Sequence, residues 1–298
     1  MKKIYTIMFV VSMILVAISV FALVKYGLNF GVDFRGGSVI EFTFTKNRPS
    51  AGDLTKTLAE DKALEDIGVS LAGDRNAIVR TRVITEIEHQ QVIVVLTKAF
   101  PDSGLQEVRF DSIGPVIGDE LRAKSVQAIV VVLVAIAIYI TFVFRKLGKV
   151  LSPWVTSFAT MVALAHDVLL PVGVFALLGH FRDVEIGAVF VAAILTILGY
   201  SISDTVIVFD RVRENIIRGG TAKDSFSAVV HKSIMQTIVR SLNTNFTTLL
   251  SLVSIYFFGG DSIRYFALAL IIGIAAGAYS SIFVASPLLV WLSRDKRR

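Results

Sequence analysis

The chain has 298 residues, 54% of them hydrophobic and 18% charged, and contains no cysteine. That apolar fraction exceeds what a soluble core of this length can bury and marks a multi-pass membrane protein, while the missing cysteines exclude disulfides, thiol nucleophiles and cysteine-ligated metals. The net charge of +6 is uneven, with 13 Lys+Arg against 15 Asp+Glu in residues 25–124 and 17 against 9 elsewhere, a pattern that argues for membrane orientation and against a nucleic-acid partner.

Met1-Lys2-Lys3 precedes an apolar run, residues 4–24. The run is long enough to span ~30 Å of hydrocarbon, and no Ala-x-Ala site precedes the polar segment, so an uncleaved first helix is expected. Residues 25–124 form the only long polar region. Within it Gly36-Gly37 marks a tight turn, since neither a P-loop lysine nor a following helix supports a phosphate loop. SVIEFTF (38–44) alternates as a strand should. Ser50 can cap a helix to about Asp66, with Leu54, Leu58 and Leu64 as its apolar positions. GVSLA and NAIVRTR flank Gly73-Asp74-Arg75, a hairpin signal. Residues 84–99 are ambiguous by period and are taken as a helix, which leaves LQEVRFD (105–111) as the last strand. The resulting order β-α-β-β-α-β is that of the ferredoxin-like split unit, and roughly 100 residues suffice for one small core.

SIGPVIGDELRAKS (112–125) leads into a second apolar helix, 126–144, followed by Arg145, Lys146 and Lys149. A third helix is expected from about Pro153 to Leu178, then a turn at 179–187 and a fourth apolar segment within 186–209. A polar connector (210–236), a fifth helix to Phe258, a turn at 259–264 and a sixth helix (265–292) follow. The expected organisation is a first transmembrane helix (1–24), an extracytoplasmic α+β domain (25–124), a five-helix bundle (125–292) with a cytoplasmic connector (210–236), and a basic tail (293–298). Lys and Arg concentrate at the N-terminus, the 145–149 turn, the connector and the C-terminus. By the positive-inside rule both termini are cytoplasmic and residues 25–124 lie outside.

The polar groups inside these spans stand out. Ser201, Asp204, Thr205 and Val208 share one face of the fourth helix at i, i+3, i+4 and i+7. Asp204 precedes Asp210 by six residues, ~9 Å along a helix, which places it in the inner leaflet. Arg240 opens the fifth helix on the same side, with Asn243, Asn245, Thr247 and Thr248 after it. An ionisable group in hydrocarbon is costly without a partner or a water-filled path, and Arg240 is the obvious partner for Asp204. A carboxylate that alternates between a paired and an unpaired state can carry a proton. A static pair, or polar side chains that fix helix packing while Arg240 snorkels, accounts for the same pattern equally well. His166 and Asp167 lie mid-way along the third helix, about 100° apart, and so cannot both face one partner. Imidazole can serve a relay, although a hydrogen-bonded helix contact near Pro171 is the simpler reading. Gly273, Ala275, Ala276, Gly277 and Ala278 suggest close packing in the sixth span. Asp210, Arg211, Arg213 and Glu214 read as a solvated helix end. No serine triad, zinc ligand set or paired catalytic carboxylates occur, so an enzyme is not expected.

FGVDFRGG (30–37), LAHDV (164–168), GYSISDTVIVFDRVREN (199–215), RSLNTNFTTLL (240–250) and FGG (258–260), in that order, resemble the SecF branch of the SecD/SecF protein-translocation family. The resemblance extends over nearly the whole chain, and within the external region it rests on FGVDFRGG and IGP (113–115). It implies a bacterial cytoplasmic-membrane protein with an RND-type half of six transmembrane helices plus the external domain. It also implies a SecD partner, association with the SecYEG channel, contact with translocating polypeptide, and use of the proton-motive force to help move or release substrate outside. In that family the carboxylate of the fourth span and the arginine opening the fifth are implicated in proton movement; the matching positions are Asp204 and Arg240. Ser201, Ser203, Thr205, Asn243, His166 and Asp167 are the candidate supporting groups. The family usually has Asn just before the carboxylate, where this sequence has Ser203. No cofactor or metal is implied, and the coupling ion is expected to be H⁺, with Na⁺ the other choice. Two alternatives stay open at this point: an RND-type exporter half for lipids or small molecules, and a non-conducting scaffold subunit whose charges only pack helices.

Overall fold

The computed structural model describes residues 3–60, 67–145, 152–219 and 225–293. The chain divides into two compact units, Phe30–Val126 and a second built from Met1–Asn29 with Gln127–Arg298. Helix α1 (Lys3–Tyr26) opens the second unit. Its buried residues are Tyr5, Ser12, Ser19 and Ala22, a narrow stripe at roughly heptad spacing, with Ile4, Ile7, Ile14, Ile18 and Phe21 exposed on the other faces. Small residues on the inner stripe let helices approach closely, and large aliphatic ones suit lipid. At the contact with the third long helix, Gly173 lies so close to Ser19 that a Cβ could not be accommodated without displacing the helix.

The first unit starts with a single helical turn, α2 (Val32–Arg35), and continues as β1 (Gly37–Phe44), α3 (Ala51–Glu60), β2 (Gly68–Ala72), β3 (Asn76–Thr81), α4 (Glu86–Ala99) and β4 (Leu105–Ile113). The sheet order is β2-β3-β1-β4, and every neighbouring pair is antiparallel. The strands expected at 38–44, 68–72, 76–82 and 105–111 all form, as does the helix taken for 84–99. The part of the expected helix at 61–66, with Leu64, lies outside the described residues. Central β1 alternates as a strand with one covered face must: Ile40, Phe42 and Phe44 are wholly buried against Leu54 and Leu58 of α3, Ala77 and Val79 of β3, and Val92 and Leu96 of α4. A register shift between Glu41 and Phe42 marks a bulge where β1 meets β4.

Gly36 and Gly37 take φ of 76° and 123°, values open mainly to glycine. A Cβ on Gly36 would stand 2.8 Å from the Pro115 Cα, and one on Gly37 would stand 2.9 Å from the Thr81 carbonyl. The tight turn read from the sequence is therefore also a close approach, in which FGVDFRGG and IGP pack on each other.

Helices α5 (Pro115–Val143), α6 (Pro153–Arg182), α7 (Ala188–Ile217), α8 (Phe226–Phe258) and α9 (Asp261–Ser280) follow. A π-helical turn (Ser281–Ala285) and α10 (Ser286–Leu292) continue α9 as one rod. Among the described residues five segments are long and apolar enough to cross a membrane: α1, α5, α6, α7 and Ile263–Leu292. Helix α8 is 33 residues long, and its polar run keeps it out of that set. The centre of the bundle is formed by α6, α7 and α9, whose facing sides are buried, while α5 is almost entirely exposed.

Three helices run further than the hydropathy pattern suggests. The segment read as a connector, 210–236, is helical at both ends: α7 continues to Ile217 and α8 begins at Phe226. The extension is held by ion pairs at helical spacing, Arg213–Asp210 at 2.6 Å, Arg218–Glu214 at 2.6 Å and Arg211–Glu214, and by the Ser225 N-cap. Likewise α6 extends to Arg182, ending at the left-handed Asp183 (φ 53°). The basic residues at 146–151 and 294–298 that carry much of the orientation signal lie outside the described residues.

Candidate functional site

The face of α7 predicted from spacing is the buried one: Ser201, Asp204, Thr205 and Val208 are all inaccessible. Asp204 is 4% exposed, and its Oδ2 accepts a 2.5 Å hydrogen bond from the Asn245 amide of α8. The same amide nitrogen donates to the Ser241 carbonyl at 2.8 Å, and the buried Ser241 hydroxyl stands beside Asp204. Helix α8 therefore meets Asp204 with an i, i+4 pair, Ser241 and Asn245.

Arg240 does not take the place expected of it. It forms no ion pair with Asp204, and its side chain is exposed on α8. One residue along a helix turns about 100°, so a face that presents Ser241 and Asn245 to α7 turns Arg240 aside. An ion pair formed in hydrocarbon would also require stripping water from both charges, a cost that an amide partner avoids. Asn243 and Ser203 are likewise exposed and stand off the buried cluster.

Asp167 lies deeper than the sequence suggests. It is wholly buried, and its two oxygens are divided among three helices. Oδ1 is 2.8 Å from His166 Nδ1, while Oδ2 accepts from Ser280 at 2.9 Å and from Ser201 at a shorter separation. An ionised carboxylate can only accept, so toward it Nδ1 is the donor of this bond. His166 and Asp167 share no outside partner, in keeping with their angular separation. The imidazole turns back to its neighbour's carboxylate and stacks on Tyr279 of α9 at 6.3 Å between centroids. Tyr279 in turn donates to the Met8 carbonyl of α1 at 2.6 Å.

Two glycines allow this convergence. A Cβ on Gly277 would come within 3.1 Å of Ser201, and one on Gly273 would collide with Ile197. Helix α9 thus lies directly against α7 where Ser201 and Ser280 both reach Asp167. Of the small residues read as packing positions, Ala275 is exposed and takes no part. From the sequence Asn245 stands only as one of several polar side chains after Arg240, and Ser241, Ser280 and Tyr279 are not among the candidates. Asn245 and Ser241 carry a faint signal, polar side chains four apart within an apolar helix. Ser280 and Tyr279 carry none, because they follow a run of small residues indistinguishable from ordinary packing.

The Ser241 hydroxyl faces the Asp204 carboxylate, and three buried side-chain atoms around the two acids lack a hydrogen-bond partner among the described residues: His166 Nε2, Thr205 Oγ1 and Asn245 Oδ1. No group of three or more His, Cys, Asp or Glu side chains fit to hold a metal occurs among them. Chemically the site offers two buried carboxylates, neutral donors and open acceptors: a place where protons can be held, with no nucleophile arrangement.

Comparison with known proteins agrees in extent with this architecture. The C-terminal region of the SecD/SecF protein export membrane proteins matches residues 92–295, and the SecD/SecF GG motif matches residues 21–47. Protein translocase subunit SecF of Thermobaculum terrenum is 38% identical over 96% of this chain and 92% of its own length. The SecF subunit of Sebaldella termitidis is 34% identical over the whole of this chain. Protein translocase subunit SecDF of Brucella abortus is 38% identical over 94% of this chain, which spans 35% of that longer protein. Among solved structures, SecDF of Thermus thermophilus, a translocon-associated membrane protein, superposes with a TM-score of 0.80 at 31% identity. That alignment covers 96% of this chain and 37% of the SecDF chain.

Proposed function

The chain belongs to the SecD/SecF family of protein export membrane proteins, as a SecF-type subunit with an accessory role in Sec export, and from that premise we propose that Asp204 couples the proton-motive force to substrate movement. The observation that carries the reading is a carboxylate 4% exposed inside a membrane helix, with an amide and hydroxyls around it and no cation bound to it among the described residues. A carboxylate so placed is costly to keep charged and can be neutralised by a proton. Each charge moved across the membrane supplies ~2.3 kcal/mol per 100 mV, enough to bias a two-state helix arrangement.

Arg240 enters as the second element. It stands five residues, ~7.5 Å of helix, from Asn245. A rotation of α8 that withdraws Asn245 would bring the guanidinium toward Asp204. The proton then switches α8 between an amide-facing and an arginine-facing position. The displacement reaches the external unit through α1 and α5, the two spans that flank it in the chain.

The full assembly in this reading has six spans, α8 being the sixth. The external domain is ferredoxin-like, supported by the β-α-β-β-α-β order and the β2-β3-β1-β4 sheet. Both termini are cytoplasmic in the bacterial inner membrane, with residues 25–124 outside. SecD is the partner, supported by relatives in which both halves share one chain. Exposed Arg240 and Asn243, which have no side-chain partner among the described residues, are poor neighbours for lipid and suit a helix of that partner. SecYEG and the emerging polypeptide complete the assembly. No enzymatic activity, cofactor or metal is assigned, and H⁺ is the coupling ion in preference to Na⁺.

The test is force-dependent release of a secreted protein from membrane vesicles, comparing wild type with Asp204→Asn at matched levels of co-purified SecD. Release that loses its force dependence while the complex stays intact supports coupling. Unchanged force dependence reduces Asp204 to a packing residue and leaves a scaffold subunit.

A further inference from the structure

Asp167 is the buried ionisable group that this coupling scheme leaves unused. Three donors from three helices hold it: His166 on α6, Ser201 on α7 and Ser280 on α9. Two of the three are hydroxyls, which stabilise a carboxylate without cancelling its charge, and the third is an imidazole on the same helix. Ser201, which donates to Asp167, lies three residues before Asp204 on the same buried face, ~4.5 Å along α7. Two like charges removed from water near one another resist being ionised together.

The titratable groups that face Asp167 are few. His166 is on its own helix, Asp204 is on α7, and Tyr279 on α9 stacks over the imidazole. Helix α1, also packed on α6, has no ionisable side chain between Tyr5 and Lys25. Among the described residues no Lys or Arg pairs with Asp167, and the imidazole of His166 is its basic neighbour. His166 Nε2 and Asn245 Oδ1 are buried and unpartnered beside the two acids, one next to each.

We propose that Asp167 is a second proton-binding residue of the coupling site, sharing one proton with Asp204, and that His166 is the residue that positions it. When the proton is on Asp204, Asp167 is the ionised member and keeps all three donors. When Asp204 ionises, Asp167 takes up a proton, becomes a donor itself, and one of its three partners must turn away. Ser280 is suited to do so: it immediately precedes the π-turn Ser281–Ala285, where the backbone ladder has already slipped by one residue. Ser286 Oγ, at 2.7 Å from the Ser281 carbonyl, supports that slipped ladder.

The inference rests on the reading of Asp204 as a proton site, and the test separates the two. The full chain, co-purified with SecD and reconstituted in lipid vesicles, is titrated from acid to neutral pH while the protonated-carboxyl infrared band is followed. Variant spectra are subtracted from wild type. The expected result is two buried-carboxyl steps in wild type. Asp167→Asn removes one step and moves the other by about one pH unit or more, as coupled sites require. Asp204→Asn removes the partner step, and His166→Gln keeps both while displacing that of Asp167. A titration unchanged by Asp167→Asn overturns the proposal and leaves Asp204 standing. A titration unchanged by Asp204→Asn overturns the coupling reading and the shared proton with it. Should Asp167→Asn fail to assemble, Asp167→Glu and Ser280→Ala are titrated instead: a displaced step supports the proposal, and unmoved steps overturn it.

Discussion

At Asn245 a single amide nitrogen donates to the Asp204 carboxylate and to the Ser241 carbonyl. Asn245→Leu leaves a buried acid without this donor and should destabilise the chain by about 1–3 kcal/mol, the usual cost of an unsatisfied buried polar group. Arg240→Gln, at an exposed position, should change stability by no more than about 0.5 kcal/mol. Thermal unfolding in detergent compares the two, and the reverse ranking would mean that Arg240 is the resident partner after all. The sequence pointed to Arg240 because a charge within an apolar run is conspicuous. An amide five residues later is not. Which side of α8 faces α7 depends on packing over its whole length, and residue types alone do not supply it.

Helix α4 shows how far local chemistry reaches at the scale of an element. Thr85 and Glu88 form a reciprocal capping box: the Thr85 hydroxyl accepts from the Glu88 N–H and the Glu88 carboxylate accepts from the Thr85 N–H at 2.7 Å. The Thr85 N–H, then the Arg82 guanidinium at 2.5 Å, push the Glu88 carboxyl down to about 2. A depressed carboxyl contributes stability above its ordinary titration range and loses it as pH falls toward the depressed value. Amide protection in α4, corrected for the intrinsic exchange rate, should therefore fall between about pH 4.5 and 2, and Glu88→Gln should remove that pH dependence. Thr85→Ala should cost about 1 kcal/mol of the same local protection. Exchange in α4 that ignores both variants would show that packing against Val92 and Leu96 alone holds the helix. Gly36→Ala belongs to the same scale. It demands a left-handed alanine 2.8 Å from Pro115, and a loss of about 1–3 kcal/mol is expected in thermal unfolding.

For the whole molecule the testable property is its orientation, which rests on charge distribution. The absence of cysteine makes single labelling sites simple to introduce. Asp74→Cys in the β2–β3 turn and Arg218→Cys after α7 both occupy exposed positions. A membrane-impermeant maleimide should label Asp74→Cys in intact spheroplasts and Arg218→Cys only after permeabilisation. The opposite pattern would invert the topology and with it the direction of proton entry to Asp204.

Much of this protein is determined by the order of its residues alone. Apolar runs long enough for a bilayer, strand alternation in SVIEFTF, the Gly73-Asp74-Arg75 turn and the buried face of α7 follow from periods of two and 3.6 residues, which are properties of the backbone. The glycine pair at 36–37 and the carboxylate at 204 were visible for the same reason: a residue that breaks a local rule stands out against its neighbours. The tertiary structure decided what such residues touch. It set Asn245 rather than Arg240 against Asp204, brought Ser201 and Ser280 together on Asp167, and carried α7 beyond the apolar window on ion pairs and α8 on its Ser225 cap. Those outcomes depend on helix rotation and on close approaches at Gly273 and Gly277, where small side chains let α9 reach α7. Contacts between helices distant in the chain are fixed by how surfaces fit in three dimensions, and no local period encodes that fit.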